Sequence, residues 1–315
     1  MYNETGIMFE KPFFIRQQYR KEKEPAASMT NPIPRVLAIH DLSGFGRCSL
    51  TVILPVLSAL GVQVCPLPTA VLSTHTGGFA EVAMRDLTDF LAESLGRYQE
   101  LKLDFDCVYS GFLGSEDQID ICADCLSRYP NALKVVDPVM GDHGKPYRTY
   151  TAAMQRRMGE LARHADLITP NLTEACMLLG QPYRFAPLGV QEAKTLLLRL
   201  ADLGPSTVVL TGVQMESNRV ANLGYHRDSG SFWRVTFEHL PVNYPGTGDL
   251  YCSVLIGGLL KGDSLPIAME RAGRFVELSM KTTFSYHTDP RYGVMLETAL
   301  PLLWERERMD GFESL

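Results

Sequence analysis

The stretch NYPGTGDLYCSVLIGGLLKG, Asn243 to Gly262, places Gly246, Thr247, Gly248 and Asp249 directly before a long apolar run. Two glycines around a threonine let successive backbone N–H groups converge on one point, and the positive end of the following helix points there too. Such a turn binds an anion. Asp249 falls in the first helical turn, where the dipole favours an acid whether or not it does chemistry. That dipole also favours the ionised form, which a base for an alcohol proton requires. A phosphoryl group in transfer spreads charge over three oxygens, so an anion hole beside a base that faces a hydroxyl suits phosphoryl transfer. The pattern is not a Walker motif, because no Gly-Lys-Ser/Thr follows.

The elements that must position this turn alternate along the chain. RVLAIH (Arg35 to His40), VQVCPLP (Val62 to Pro68), DCVYSG (Asp106 to Gly111), LKVVDPV (Leu133 to Val139), DLITP (Asp166 to Pro170) and STVVLTG (Ser206 to Gly212) read as short strands. Helical segments such as CSLTVILPVLSALG and GVQEAKTLLLRLADLG lie between them. The alternation predicts an α/β fold with a mainly parallel central sheet and helices on both faces. Two alternating runs around RDSG, within residues 219–240, predict one hairpin. Ligands of such sheets sit at the carboxyl ends of the strands. His40, Asp41, Asp137, Thr169, Asn171, Thr211 and Gly212 fall there, although Asp, Asn and Gly also form ordinary turns.

Composition narrows the partners. The chain has 315 residues, 45% of them hydrophobic, and a formal net charge of −6 with mixed signs along its length. No basic face offers itself to nucleic acid or to an anionic membrane, so positive potential for a phosphate must be local. Seven cysteines lack a regular framework, which fits a reducing cytoplasm, and CADC at Cys122 to Cys125 reads as two cysteines on a helix face. No run of about 18 apolar residues predicts a membrane span. Residues 1–30 lack an uninterrupted apolar centre, end in a charged and then a small-residue stretch, and read as a poorly ordered N-terminal extension, with Met29 as an alternative start and residues 31–315 as one domain.

Four motifs in order carry a family resemblance: LSTHTGG at Leu72 to Gly78, DPVMGD at Asp137 to Asp142, TPNLTEA at Thr169 to Ala175, and GTGD before the buried helix. Over about residues 34 to 285 the chain resembles the pyridoxal kinase branch of the ribokinase superfamily. The resemblance implies a ribokinase-like kinase that phosphorylates the 5′-hydroxymethyl group of pyridoxal, pyridoxine or pyridoxamine from ATP. It also implies a homodimer, Mg2+ and a monovalent cation such as K+. Carried over by position, Asp249 is the general base, and Gly246, Thr247 and Gly248 are the anion hole. Asp137 and Asp142 lie near the ATP phosphates, Asn171 and Glu174 order the metal and its waters, and Thr211 and Gly212 border the nucleotide. Asp137 and Glu174 are the implied metal ligands. Locally, Asn171 and Thr173 read equally well as helix caps.

On the substrate side, His75 and Thr76 match the segment beside the pyridine ring, except that Thr74 stands where the family has Asn. The sharper departure is HDLSG, where Asp41 replaces the usual Ser and, with Ser43, resembles the hydroxymethylpyrimidine kinase branch. A carboxylate only accepts hydrogen bonds, whereas a serine hydroxyl also donates, so Asp41 is expected to set ring preference. Three readings stand: a pyridoxal-type kinase, a hydroxymethylpyrimidine kinase, and a catalytically silent binder of a pyridoxal compound, against which the intact GTGD argues.

Overall fold

Alternate residues of β1 (Arg35–Phe45) feed two separate cores, Leu37 and Ile39 entering one and Val36 and Ala38 the other. A strand covered on both faces needs apolar side chains at consecutive positions, which is why RVLAI shows no polar alternation. Cutting Leu37 or Ile39 back to Ala would cost about 2–5 kcal/mol. The computed structural model describes residues 32–184, 187–216, 219–304 and 311–315, so the extension expected at residues 1–30 lies outside the described residues.

Chain order continues with α1 (Leu50–Ala59), β2 (Gln63–Thr74), β3 (Met84–Asp86), α2 (Thr88–Glu100), β4 (Cys107–Ser110), α3 (Glu116–Arg128) and β5 (Leu133–Val136). A two-stranded flap, β6 (Gly141–Asp142) and β7 (Lys145–Pro146), precedes α4 (Ala152–Ala162), β8 (Leu167–Ile168), α5 (Leu172–Leu178) and α6 (Val190–Ala201). The remainder is β9 (Thr207–Glu216), β10 (Arg219–His226), β11 (Ser231–Glu238), α7 (Thr247–Lys261), α8 (Leu265–Ser285), α9 (Leu296–Ala299) and β12 (Phe312–Ser314).

Ten strands form one sheet in the order β12-β11-β10-β9-β8-β5-β4-β1-β2-β3. Pairings from β9 across to β2 are parallel, and those at the two edges are antiparallel. Helices α2, α3, α4 and α6 cover one face, while α1, α7 and α8 cover the other. This is the expected α/β architecture, and β10 and β11 form the expected hairpin around RDSG. Cys122 and Cys125 lie buried as free thiols on α3. Among the described residues no helix is long and apolar enough to cross a membrane.

Three strands, β1, β2 and β9, run past their sequence expectation. Pairing of β1 with β2 does not stop at His40 but shifts register between His40 and Leu42 and runs on to Phe45. A bulge re-aims side chains locally, and here it brings the consecutive residues His40 and Asp41 into contact instead of sending them to opposite faces.

Candidate active site

The turn before α7 is built as the sequence suggests. Gly246 takes a left-handed φ of 80°, and a Cβ there would lie 2.1 Å from the Arg47 carbonyl oxygen, so no other residue fits. No side chain caps the helix, and the Leu250 N–H donates to the Gly246 carbonyl at 2.9 Å. The N–H groups of Thr247, Gly248 and Asp249 precede that first bond and have no carbonyl one turn back. The atom nearest to a Cβ built on Gly248 is Asp137 Oδ2, at 4.0 Å, so a longer side chain would enter the gap between turn and carboxylate.

Asp249 is buried, 8% exposed, and both its oxygens are held. The Ser49 backbone N–H donates to Oδ2 at 2.6 Å, and His40 Nε2 lies 3.1 Å from Oδ1. His40 Nδ1 lies 2.9 Å from Asp41 Oδ1. Asp41 also accepts from Ser49 Oγ at 2.6 Å and from Ser43 Oγ at 2.8 Å. Burial alone would raise the Asp41 carboxyl, but the His40 N–H and charge and the two hydroxyls hold it below the usual range. At the ring-facing position expected from sequence, Asp41 and Ser43 thus bond to each other inside the protein, and Asp41 is only 5% exposed. Sequence reasoning noted His40 as a strand-end residue but gave it no role, and it missed Ser49, which lies 200 positions from its partner.

Asp137, at the end of β5, accepts from Thr169 Oγ1 at 3.0 Å. Burial first, then the Asp249 charge, pushes its carboxyl upward. The His40 charge, the last of the effects on Asp137, offsets this only in part, and a hard oxygen donor of this kind suits a magnesium ion. Glu174 is differently placed. Its two oxygens accept the backbone N–H groups of Met140 at 3.2 Å and Asn171 at 2.9 Å, while Asn171 Oδ1 accepts from the Glu174 N–H, which completes a capping box on α5. Asn171 Nδ2 donates to the Gly141 carbonyl and Thr173 Oγ1 accepts from the Gly144 N–H, so the same helix end pins the flap. Burial, then the Asp137 charge, raises the Glu174 carboxyl well above its ordinary range. Asp142 is exposed on that flap and accepts from the His143 N–H at 2.7 Å.

Thr211 pairs with Asn171 in an isolated parallel bridge, which brings β9 to the same end of the sheet. Gly212 follows with φ of 65° and no atom within 4 Å of a built Cβ, while its N–H donates to Asn222 Oδ1. Open space above a left-handed glycine leaves backbone accessible there.

His75 is buried with both ring nitrogens occupied. Nδ1 accepts the Gly77 N–H at 3.1 Å, which leaves Nε2–H to donate to the Arg291 carbonyl at 2.7 Å. This fixes a tautomer and ties the THTGG loop to residues 289–293. Thr76 is half-buried on that loop. Phe45, Phe79 and Tyr292 gather around it, with Phe45 5.1 Å from Tyr292 and 6.1 Å from Phe79 in edge-on contacts. Phe45 is exposed.

The phosphomethylpyrimidine kinase family profile matches residues 54–291. The chain belongs to that family. A crystallised candidate phosphomethylpyrimidine kinase of Bacteroides thetaiotaomicron is 42% identical, with a TM-score of 0.88 over 91% of this chain and 100% of that one. A second crystal form of that protein contains pyridoxal. Pyridoxal kinase of Lactobacillus plantarum is 32% identical, with a TM-score of 0.80 over 87% of this chain and 97% of its own. The chloroplastic thiamine biosynthetic bifunctional enzyme of Arabidopsis thaliana is 27% identical over 269 residues, 84% of this chain, and the chain spans about half the length of that enzyme, 50%. The fold is therefore ribokinase-like and the kinship with the pyridoxal kinase branch holds, as the four motifs imply. Membership of a family of phosphomethylpyrimidine and pyridoxal kinases implies ATP as the phosphoryl donor.

Proposed function

We propose that the protein transfers the γ-phosphoryl group of ATP to the 5′-hydroxymethyl group of pyridoxal, pyridoxine or pyridoxamine. The observation that carries this reading is the meeting of the buried Asp249 carboxylate with the uncapped Gly246-Thr247-Gly248 turn. In this reading Asp249 accepts the hydroxyl proton while the N–H groups of the turn hold the charge that develops on the phosphoryl oxygens. Asp137 would hold the Mg2+, which offsets phosphate charge when bound. Glu174 and Asn171 would act on it through the loop they pin, and Thr211 and Gly212 would border the nucleotide. The THTGG loop and the aromatic wall around Phe45 would receive the ring. Support for a pyridoxal-type ring comes from the Bacteroides relative that was crystallised with pyridoxal.

A hydroxymethylpyrimidine is the second reading, favoured by the family profile and by the plant thiamine enzyme. Both rings carry the same reacting group, so the chemistry at Asp249 is common to them. A homodimer in the cytoplasm, with K+ as an added activator, completes the proposal. ATP consumption measured with each vitamer and with hydroxymethylpyrimidine, alongside calorimetric titration of each ring, separates the readings. Turnover of the pyrimidine alone would transfer the assignment to thiamine synthesis, and binding without ATP consumption would leave a carrier.

A further inference from the structure

His40 sits at the centre of the site, 2% exposed, in space that Gly111 leaves free. A Cβ on Gly111 would come within 2.0 Å of the imidazole. Both ring nitrogens meet carboxylates, Nδ1 at 2.9 Å from Asp41 and Nε2 at 3.1 Å from Asp249. Ionised carboxylates only accept, so each nitrogen must carry a hydrogen. The Asp41 backbone N–H is also aimed at Nδ1 in donor geometry, at 2.9 Å. A nitrogen accepting there would turn its lone pair on the Asp41 oxygen as well, so the carboxylate decides the assignment. Of the other titratable groups nearby, Asp137 interacts with the ring by charge, and two more are neutral. Tyr109 of β4 meets it edge-on at 6.4 Å with its phenol raised by burial, and burial with the two carboxylates pushes the Cys48 thiol up to about 12.

Resting on the kinase reading above, we propose that His40 is a positioning residue for Asp249, and that Asp41 acts through His40 instead of on the ring substrate. Asp41 holds Nδ1–H, which aims Nε2–H at Asp249 Oδ1, while the Ser49 N–H fixes Oδ2. Clamped at both oxygens, the carboxylate has one orientation and presents its remaining lone pairs to a bound hydroxyl. Charge works in the same direction. Asp41, Asp137 and Asp249 crowd one buried region, and an imidazolium among them offsets their mutual repulsion. Burial by itself would strip the ring of its second proton, but Asp249 and then Asp41 outweigh it and raise His40 to about 10.

Kinetics with ATP and each vitamer on wild type, His40→Ala, His40→Gln, Asp41→Asn and the His40→Ala/Asp41→Asn double variant test the proposal. In His40→Ala, kcat should fall about 10- to 100-fold, the worth of a charged hydrogen bond, with both KM values nearly kept. His40→Gln, which retains a donor, should recover part of the loss. The double variant should be no slower than His40→Ala, and Asp41→Asn should slow every vitamer alike. Unchanged kcat in His40→Ala would overturn the positioning role. A double variant slowed by the product of the single effects, or a re-ranking of vitamers in Asp41→Asn, would show Asp41 acting on the substrate itself. On the unsubstituted protein, nitrogen NMR at neutral pH should show one histidine, absent from the His40→Gln spectrum, with both ring nitrogens protonated. One protonated nitrogen would overturn the clamp. A wild type that turns over none of these rings would sink the kinase reading, while the NMR result would still decide the clamp.

Discussion

The Ser49 backbone N–H reaches Asp249 Oδ2 across 2.6 Å while Ser49 holds a left-handed φ of 56°. That conformation costs a serine about 1–3 kcal/mol, and strain of this kind persists where the surroundings over-determine it. Here they do: the hydroxyl of Ser49 donates to Asp41 and its N–H to Asp249, so one strained residue ties both acids to the start of α1.

Asp249→Asn keeps an oxygen for the Ser49 N–H but cannot take a proton from a hydroxyl. Turnover should fall about 10²- to 10⁴-fold while ATP affinity is largely retained. Single-turnover kinetics and calorimetry measure the two separately, and near-normal turnover would remove Asp249 from the role of base.

Gly246 and Gly212 both have positive φ, but only Gly246 is crowded. Gly246→Ala should therefore cost about 2–5 kcal/mol, strain plus clash, against about 1–2 kcal/mol of strain alone for Gly212→Ala. Urea denaturation of the two variants gives the comparison. Equal losses would mean that the chain around Arg47 yields without cost.

Chelation should abolish activity and magnesium should restore it. Glu174→Gln removes the carboxyl group that interacts with Asp137 and should raise the magnesium concentration needed for half-maximal rate. An unchanged metal dependence would assign Glu174 to the helix cap alone.

His40 carries a stability signature in pH. Its folded pKa of about 10 lies above the ordinary 6.5, so its stabilisation is complete below pH 6.5 and is lost as pH rises through about 10. The Tm advantage of wild type over His40→Gln should shrink steadily across that window. A constant difference would mean that the ring is neutral throughout.

Periodicity and breakers made most of the fold legible. Consecutive apolar residues such as Val36 to Ile39 fit a strand covered on both faces, and GTGD before an apolar run marked the uncapped start of α7. What stayed hidden depends on partners far away in the chain. Nothing local in HDLSG shows that β1 bulges after His40, or that Asp41 turns to Ser43 and Ser49. Likewise, Asn-x-x-Glu reads the same whether Glu174 meets a metal or the Met140 N–H, because only the folded loop decides.

The packing of α1 against α7 also sets a timetable. A ribosome adds about 5–20 residues per second, so Ser49 waits roughly 10–40 s for Asp249 to be made, 200 positions later. During that interval the apolar side of α1 lacks the helix that covers it. Chains stalled before Lys261 would carry that surface uncovered, the kind of species that aggregates or recruits chaperones. The bond between Ser49 and Asp249 thus forms late in the life of each new molecule.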